Sequence, residues 1–134
     1  MDDASLNLSK YRLEKAEVEL SISKILFEKG FYAKSLNSSY YAMFHSVRAL
    51  LALDKLDSKK HSGILNYFNN IYIRTNKISS EYFKFISSAF NIRLQSDYND
   101  FFIASRKEAE NQINNAEKFL EKIKEYLLKQ TRNS

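Results

Sequence analysis

The chain has no proline, and Gly30 and Gly63 are the only glycines in its 134 residues. Hairpins, sandwiches and barrels need turn-formers at close intervals, because tight reversals use backbone angles that proline pre-sets and glycine adopts at little cost. A chain poor in both is left with long helices joined by short polar loops. Its length corresponds to one domain, and a domain of this size buries roughly two thirds of the surface its unfolded chain exposes. Apolar residues make up 44% of the chain, with nine Tyr and ten Phe among them, which is enough for a core. The expected fold class is all-α, with about five helices in one domain spanning residues 1–134.

Helical periodicity sets the boundaries. A first helix is expected from about Leu6 to Lys29, with Leu13, Ala16, Leu20, Ser23 and Phe27 on one stripe and Val18, Ile22 and Ile25 on a second line beside it. Gly30 then stands where a left-handed residue commonly ends a helix. A second helix, about Tyr32 to Leu53, is apolar around most of its circumference and is expected at the centre of the fold. Leu36, Tyr40, Met43, Val47 and Leu50 share one face, with Tyr41, Phe44, Arg48 and Leu51 on its flank. A charged loop, Asp54 to Lys60, precedes a third helix that starts near His61 and blurs at Tyr72-Ile73-Arg74, which also reads as a short strand. Thr75 to Ile78 reads as a loop, with Ser79 or Ser80 capping a fourth helix. That helix aligns Tyr82, Phe85, Ile86, Ala89, Phe90 and Arg93, and a break is expected over Ser96 to Phe102. Ser105 and Glu108 have capping-box spacing. From there Ala109, Ile113, Ala116, Leu120, Ile123 and Leu127 keep a three-four rhythm through a last helix able to pack on its neighbours or to dimerise.

Several function classes are excluded or disfavoured. There is no cysteine, so no disulfide and no thiolate metal site. No Gly-rich loop exists to cradle phosphates. His45 and His61 lie sixteen residues apart without zinc-ligand spacing, and no nucleophile elbow accompanies them. Neither a metal nor a cofactor is expected. No apolar run reaches membrane-spanning length, and Asp2 and Asp3 are unlike a secretory signal, so a cytoplasmic protein without membrane association is expected. The net charge of +5 suits a polyanionic partner. Its lysines are scattered over every helix, however, and a solvated surface accounts for them equally well.

The segment Phe90-Asn-Ile-Arg93-Leu-Gln-Ser-Asp97-Tyr98-Asn-Asp100 carries the strongest chemical signal. Arg93 continues the apolar stripe eleven residues beyond Tyr82, and an arginine aimed into a helical seam requires a partner. Asp97 is one helical turn away. The plainer account is a structural Arg93–Asp97 pair, and the alternative is an anion site. His45 and Arg48 flank the apolar face of the second helix beside Tyr41, where packing is the ordinary role. His61 stands near a helix N-terminus, and Gly63 there suits close helix packing.

The blocks Arg12-Leu-Glu-Lys-Ala-Glu-Val-Glu-Leu, Gly30-Phe-Tyr-Ala-Lys, Ser39-Tyr-Tyr-Ala-Met-Phe-His-Ser-Val-Arg48-Ala-Leu-Leu, His61-Ser-Gly-Ile-Leu-Asn-Tyr-Phe68 and Arg93-Leu-Gln-Ser-Asp-Tyr98-Asn-Asp100 follow one another over about nine tenths of the chain. In this order they resemble the HEPN family. The resemblance implies an up-and-down helical bundle that pairs as a homodimer. Many family members cleave RNA without metal, using an Arg and, four to six residues later, a His. Others are the toxin half of a toxin–antitoxin pair encoded beside a minimal nucleotidyltransferase, and some bind nucleotides. Here Arg93 matches the Arg, but Tyr98 stands where the His belongs, and none of the residues from Leu94 to Asp100 is His. A phenol with a pKa near 10 shuttles protons poorly at neutral pH. The usual nuclease mechanism is therefore lost, or altered to use His61 or His45. A tyrosine that some nucleotidyltransferase-linked relatives modify has Asp100 in its place.

Three readings follow. The first is a homodimer that binds a nucleotide, RNA or a nucleotidyltransferase partner through Arg93, Asp97, Tyr98, Arg48, His45, His61 and Tyr41. The second is a metal-independent endoribonuclease with Arg93 and Tyr98, or Arg93 and His61, as its catalytic groups. The third is a purely structural dimerisation module.

Overall fold

A computed structural model describes residues 2–132. In order these form α1 (Asp3–Glu28), α2 (Tyr32–Leu53), α3 (His61–Phe68), a π-helical turn (Asn69–Ile73), α4 (Ser80–Tyr98) and α5 (Arg106–Arg132), with no strand among the described residues. The all-α helical bundle expected from the missing turn-formers is what the chain adopts. No helix in it is long and apolar enough to cross a membrane.

The helix ends follow from local chemistry. Asp2 caps α1, its carboxylate accepting from the Ser5 amide at 2.7 Å, so α1 begins at Asp3, three residues before the Leu6 expected from periodicity. α1 ends at Gly30, whose φ of +82° lets the Phe31 and Gly30 amides donate back to the carbonyls of Leu26 and Phe27. α2 ends with the same pair of bonds, from Leu56 to Leu51 and from Lys55 to Ala52, but the left-handed position there is held by Lys55 at φ +57°. The capping box at α5 is complete. Ser105 N–H donates to Glu108 Oε1 at 3.1 Å, and Glu108 N–H to Ser105 Oγ at 3.0 Å.

α2 is the central element, packed against α1, α3, α4 and α5. Tyr40, Met43, Val47, Leu50 and Leu51 are fully buried there, with Ile64 and Phe68 from α3, Ile86 from α4 and Phe119 and Ile123 from α5. Complete burial of each such side chain contributes about 1.5–3 kcal/mol. Gln112 ties α5 to α2, its amide donating to the Leu36 carbonyl and to Ser39 Oγ, both at 2.6 Å.

Three expectations are corrected. Val18, Ile22 and Ile25 form no second packing line on α1 but face solvent. The residues of α1 that are buried are Ser5, Ser9, Arg12, Ala16 and Ser23, mostly small, while Leu13 and Leu20 of the expected stripe pack partly buried against the core. Ser9 Oγ donates to the Ala49 carbonyl at 2.8 Å, and Ser23 and Ser35 each donate to the other's carbonyl, at 2.7 and 2.8 Å. Short hydroxyl side chains let two backbones approach and satisfy themselves on carbonyls, whereas a line of Val and Ile would hold the helices apart.

The second correction is Tyr72-Ile73-Arg74, which is not a strand. The segment is a π turn in which both Tyr72 and Ile73 are buried. The Tyr72 hydroxyl donates to the Asp54 carboxylate. The third is the break after α4, which begins at Asn99, so that residues 96–98 remain helical. Gly63 is a site of close approach: a Cβ there would lie 2.1 Å from Ser58 Oγ.

Candidate functional site

α2, the start of α3 and the second half of α4 meet in a cluster of rings around one guanidinium. α2 supplies Tyr40, Tyr41, Phe44 and His45 from two successive turns. His61 enters as the first residue of α3, and α4 adds Phe90 and, nearly one turn later, Arg93. The Tyr40 hydroxyl shares a hydrogen bond of 2.7 Å with His61 Nδ1. The His61 ring stacks on Phe44 at 4.2 Å and lies parallel to Phe90 at 6.1 Å, and the Tyr41 ring meets it edge-on at 5.7 Å. The imidazole is therefore fixed by one polar bond and three aromatic neighbours.

Arg93 lies against the same rings, its Cζ 5.2 Å from the Tyr41 centroid and 5.7 Å from that of Tyr40. Its nearest carboxylate is Asp97, at 3.8 Å, on a side chain half open to solvent. Arg93 Nε is buried and has no hydrogen-bond partner. The pair anticipated from the sequence is thus present but loose, and leaves part of the guanidinium unsatisfied.

His45 lies 5.8 Å from the Tyr41 ring, one turn along α2, and its buried Nδ1 also lacks a partner. Burial, reinforced by Lys15, Arg48, Arg12 and His61, pushes its pKa down to about 4. His61 is lowered as well, by burial first and then by Arg93 and Arg48. The N-terminus of α3 acts in the same direction. Burial raises Tyr40, against a smaller opposing effect of Arg93. The tyrosine stays a neutral hydroxyl, and both histidines are neutral imidazoles at neutral pH.

Arg48 is turned to a second charge group. With Arg12 it binds Asp57, at 3.2 and 3.3 Å, and Arg12 also donates to the Arg48 carbonyl at 3.0 Å. Burial works against the Asp57 charge, but the Ser58 amide, Arg48 and Arg12 outweigh it and hold the carboxyl below its usual range. Two guanidiniums on one carboxylate leave this end of α2 positive.

The structure thus brings together Arg93, Asp97, Tyr41, His45 and His61, with Arg48 at the margin. Tyr98 is not brought in. Five residues beyond Arg93 it points about 140° around α4, is 84% exposed, and makes no ion pair or ring contact with Arg93. Phe101 and Ile103, just beyond it, are 88% and 86% exposed. Sequence reasoning had no signal for the Tyr40–His61 bond or for Asp57 as the partner of Arg48, since both join residues distant in the chain. No three metal-ligating side chains converge among the described residues. A depression of about 350 Å³ between α1 and α5, lined by Leu6, Leu13, Lys124 and Leu127 among others, shares no residue with the cluster.

Comparison with known proteins places this arrangement in a family. The model of the HEPN domain matches residues 9–126. A protein of Methanocaldococcus jannaschii named "Putative toxin" is 38% identical over 116 residues, covering 87% of this chain and 79% of its own length. A second protein of the same name from that organism is 37% identical, covering 86% and 85%. A Thermotoga maritima protein named only as a UPF0332 protein is 31% identical, covering 88% and 89%. The chain belongs to the HEPN-domain family.

Proposed function

We propose that this chain is a toxin-like HEPN protein that self-associates and binds the phosphate of an RNA or nucleotide at Arg93. Asp97, Tyr41, His45 and His61 surround that phosphate, and Arg48 extends the positive face. The toxin-named relatives support the toxin-like part, and the family resemblance supports the homodimer. One observation carries the ligand: a guanidinium packed on two tyrosine rings, with its buried Nε unpartnered and only a 3.8 Å contact to a half-exposed carboxylate. A purely structural pair would be expected to close that bond. An anionic oxygen accepts what the guanidinium still offers, in the charge-assisted geometry arginine favours. The net charge of +5 favours the same class of ligand.

The test is binding of a fluorescently labelled single-stranded RNA and of ATP, followed by anisotropy and by the shift in melting temperature. Arg93→Glu is expected to abolish binding while the helical circular-dichroism spectrum is kept. Normal binding by that variant would show that Arg93 is not the site.

A second reading is favoured by Tyr98, Phe101 and Ile103, three large side chains exposed at and just beyond the end of α4. They suit a protein partner, either a second copy or a nucleotidyltransferase. Tyr98→Asp with Phe101→Asp should then lower the mass measured by light scattering or the retention of that partner, without changing RNA binding.

A further inference from the structure

The outer face of α1 carries a stripe that nothing in the fold covers. Leu8, Tyr11, Lys15, Val18, Ile22 and Ile25 follow one another at three-four-three-four-three spacing, the repeat of about 3.5 residues of a helix that packs lengthwise on another helix. All of them are exposed, Tyr11 and Val18 by 57% each. α1 packs on α2 and α5, and its buried Ser9, Ala16 and Ser23 lie about 130° around the helix from the stripe. Single exposed apolar side chains are ordinary, but a continuous line about 26 Å long marks a surface that something covers. We infer that this stripe pairs, antiparallel, with the same stripe on α1 of a second copy of the chain. The inference rests on the self-association proposed above, for which it supplies the surface, and not on the phosphate site at Arg93.

The stripe is complementary to itself about a two-fold axis. With the helices antiparallel and the axis between residues 16 and 17, Leu8 lies opposite Ile25 of the second copy, Tyr11 opposite Ile22, and Lys15 opposite Val18. Each position on the stripe then meets another position on it, as an isologous interface requires. A parallel pair would instead set Lys15 against Lys15, two like charges in an apolar seam.

The charges agree with the same register. Lys15 lies 5.6 Å from the Tyr11 ring, and neither it nor Glu19 makes an ion pair among the described residues. In the antiparallel pair, Lys15 of each copy comes beside Glu19 of the other along one edge of the seam. Asp3, the first residue of α1, comes beside Lys29, which follows its last. A parallel pair would bring Asp3 to Asp3 and Lys29 to Lys29. Little ordering is left to do, because α1 is capped at Asp2 and closed at Gly30 before any second copy arrives. α1 and α4 are not packed on each other, so the stripe is a separate surface from Tyr98, Phe101 and Ile103.

The chain has no cysteine, so one introduced thiol reports one position. At a concentration where light scattering gives wild type about twice the 15.7 kDa of one chain, Leu8→Cys and Ile25→Cys proteins are mixed and treated with a short bismaleimide. The mixture is expected to give a covalent dimer and each variant alone to give none, because like thiols stand about 26 Å apart in the antiparallel pair. Joining of Leu8→Cys to itself would mean a parallel pair and overturn the inference. Val18→Glu with Ile22→Glu should raise the dimer dissociation constant about tenfold or more and leave the circular-dichroism spectrum unchanged. Lys15→Glu should weaken pairing about three- to tenfold, and adding Glu19→Lys should restore it; no recovery would refute the register. A dimer that neither joins through these thiols nor responds to Val18→Glu with Ile22→Glu would rule out the α1 surface and leave self-association standing. A chain that keeps the mass of 15.7 kDa at every concentration, its stripe left to a different protein, would remove both.

Discussion

His45 makes acid stability a direct probe of the cluster. Its ring is half-buried, its Nδ1 has no partner, and its folded pKa of about 4 lies below the ordinary histidine value of 6.5. Below pH 6.5 the unfolded chain therefore binds a proton that the folded protein refuses. Stability is fully present above that pH and falls as the pH drops toward 4. Between pH 7.5 and 5 the full shift would cost about 2 kcal/mol, and allowing for solvent around a half-buried ring leaves about 1 kcal/mol. His61 is lowered in the same direction and steepens the slope. The carboxyls held below their usual range, Asp57 among them, begin to contribute only as the pH approaches ordinary carboxyl values, so this interval isolates the histidines. Urea denaturation at fixed ionic strength and fixed protein concentration, at pH 7.5, 6.5, 5.8 and 5, measures the loss. It corresponds to a drop of about 3–5 °C in Tm. His45→Gln should flatten the profile by the His45 share. An unchanged slope in that variant, or a wild type that gains stability on acidification, would refute the picture of a neutral imidazole among cations.

Two further predictions test the frame that holds the site. Gly63→Ala should destabilise by about 1–3 kcal/mol in the same denaturation assay, because its Cβ would lie 2.1 Å from Ser58 Oγ and 2.8 Å from Ser58 Cβ; adding Ser58→Gly should restore most of that loss. Lys55→Gly should stabilise by about 1 kcal/mol, since it relieves a left-handed lysine at φ +57° and gives up only the exposed Lys55–Asp2 pair; a lower Tm would mean that the pair outweighs the strain.

The sequence could be read wherever a structural cause is local. Gly30, the Ser105–Glu108 box and the three-four rhythm from Ala109 to Leu127 act within one or two turns, and the structure has each of them. α1 shows the limit. Periodicity equates apolar with inward, so Val18, Ile22 and Ile25 looked like packing positions. The close approach of α1 to α2 instead selects Ser9, Ala16 and Ser23, residues whose value lies in their small size and their bonds to carbonyls across the interface. The site divides in the same way. An arginine on an apolar stripe with Asp97 one turn later could be seen in the sequence, and so could His45 and Arg48 on one edge of α2. That His61 reaches Tyr40 and Arg93 depends on how α3 re-enters beside α2 after the Asp54–Lys60 loop. No spacing encodes that return.

The energetics of Arg93 explain why such a cluster marks a site rather than a core. Contacts of a guanidinium with tyrosine faces contribute about 0.5–2 kcal/mol each, and Arg93 makes two. A loose pair with a half-exposed carboxylate adds at most about 1 kcal/mol. Removing an ion from water, even incompletely, costs several kcal/mol, and the unpartnered Nε loses a hydrogen bond besides. The favourable contacts are of the same size as that cost, so the hydrogen bond that Nε does not make is what leaves Arg93 in deficit. An apolar side chain of similar length would fill the seam between α2 and α4 at lower cost. Phosphate oxygens would close the deficit: they accept from the guanidinium, bring the negative charge that Asp97 only half supplies, and offset the repulsion from Lys15 and Arg48 that adds to burial in keeping His45 neutral. By this reasoning the same shortfall that makes Arg93 costly to the free fold is available as binding energy when an anion arrives.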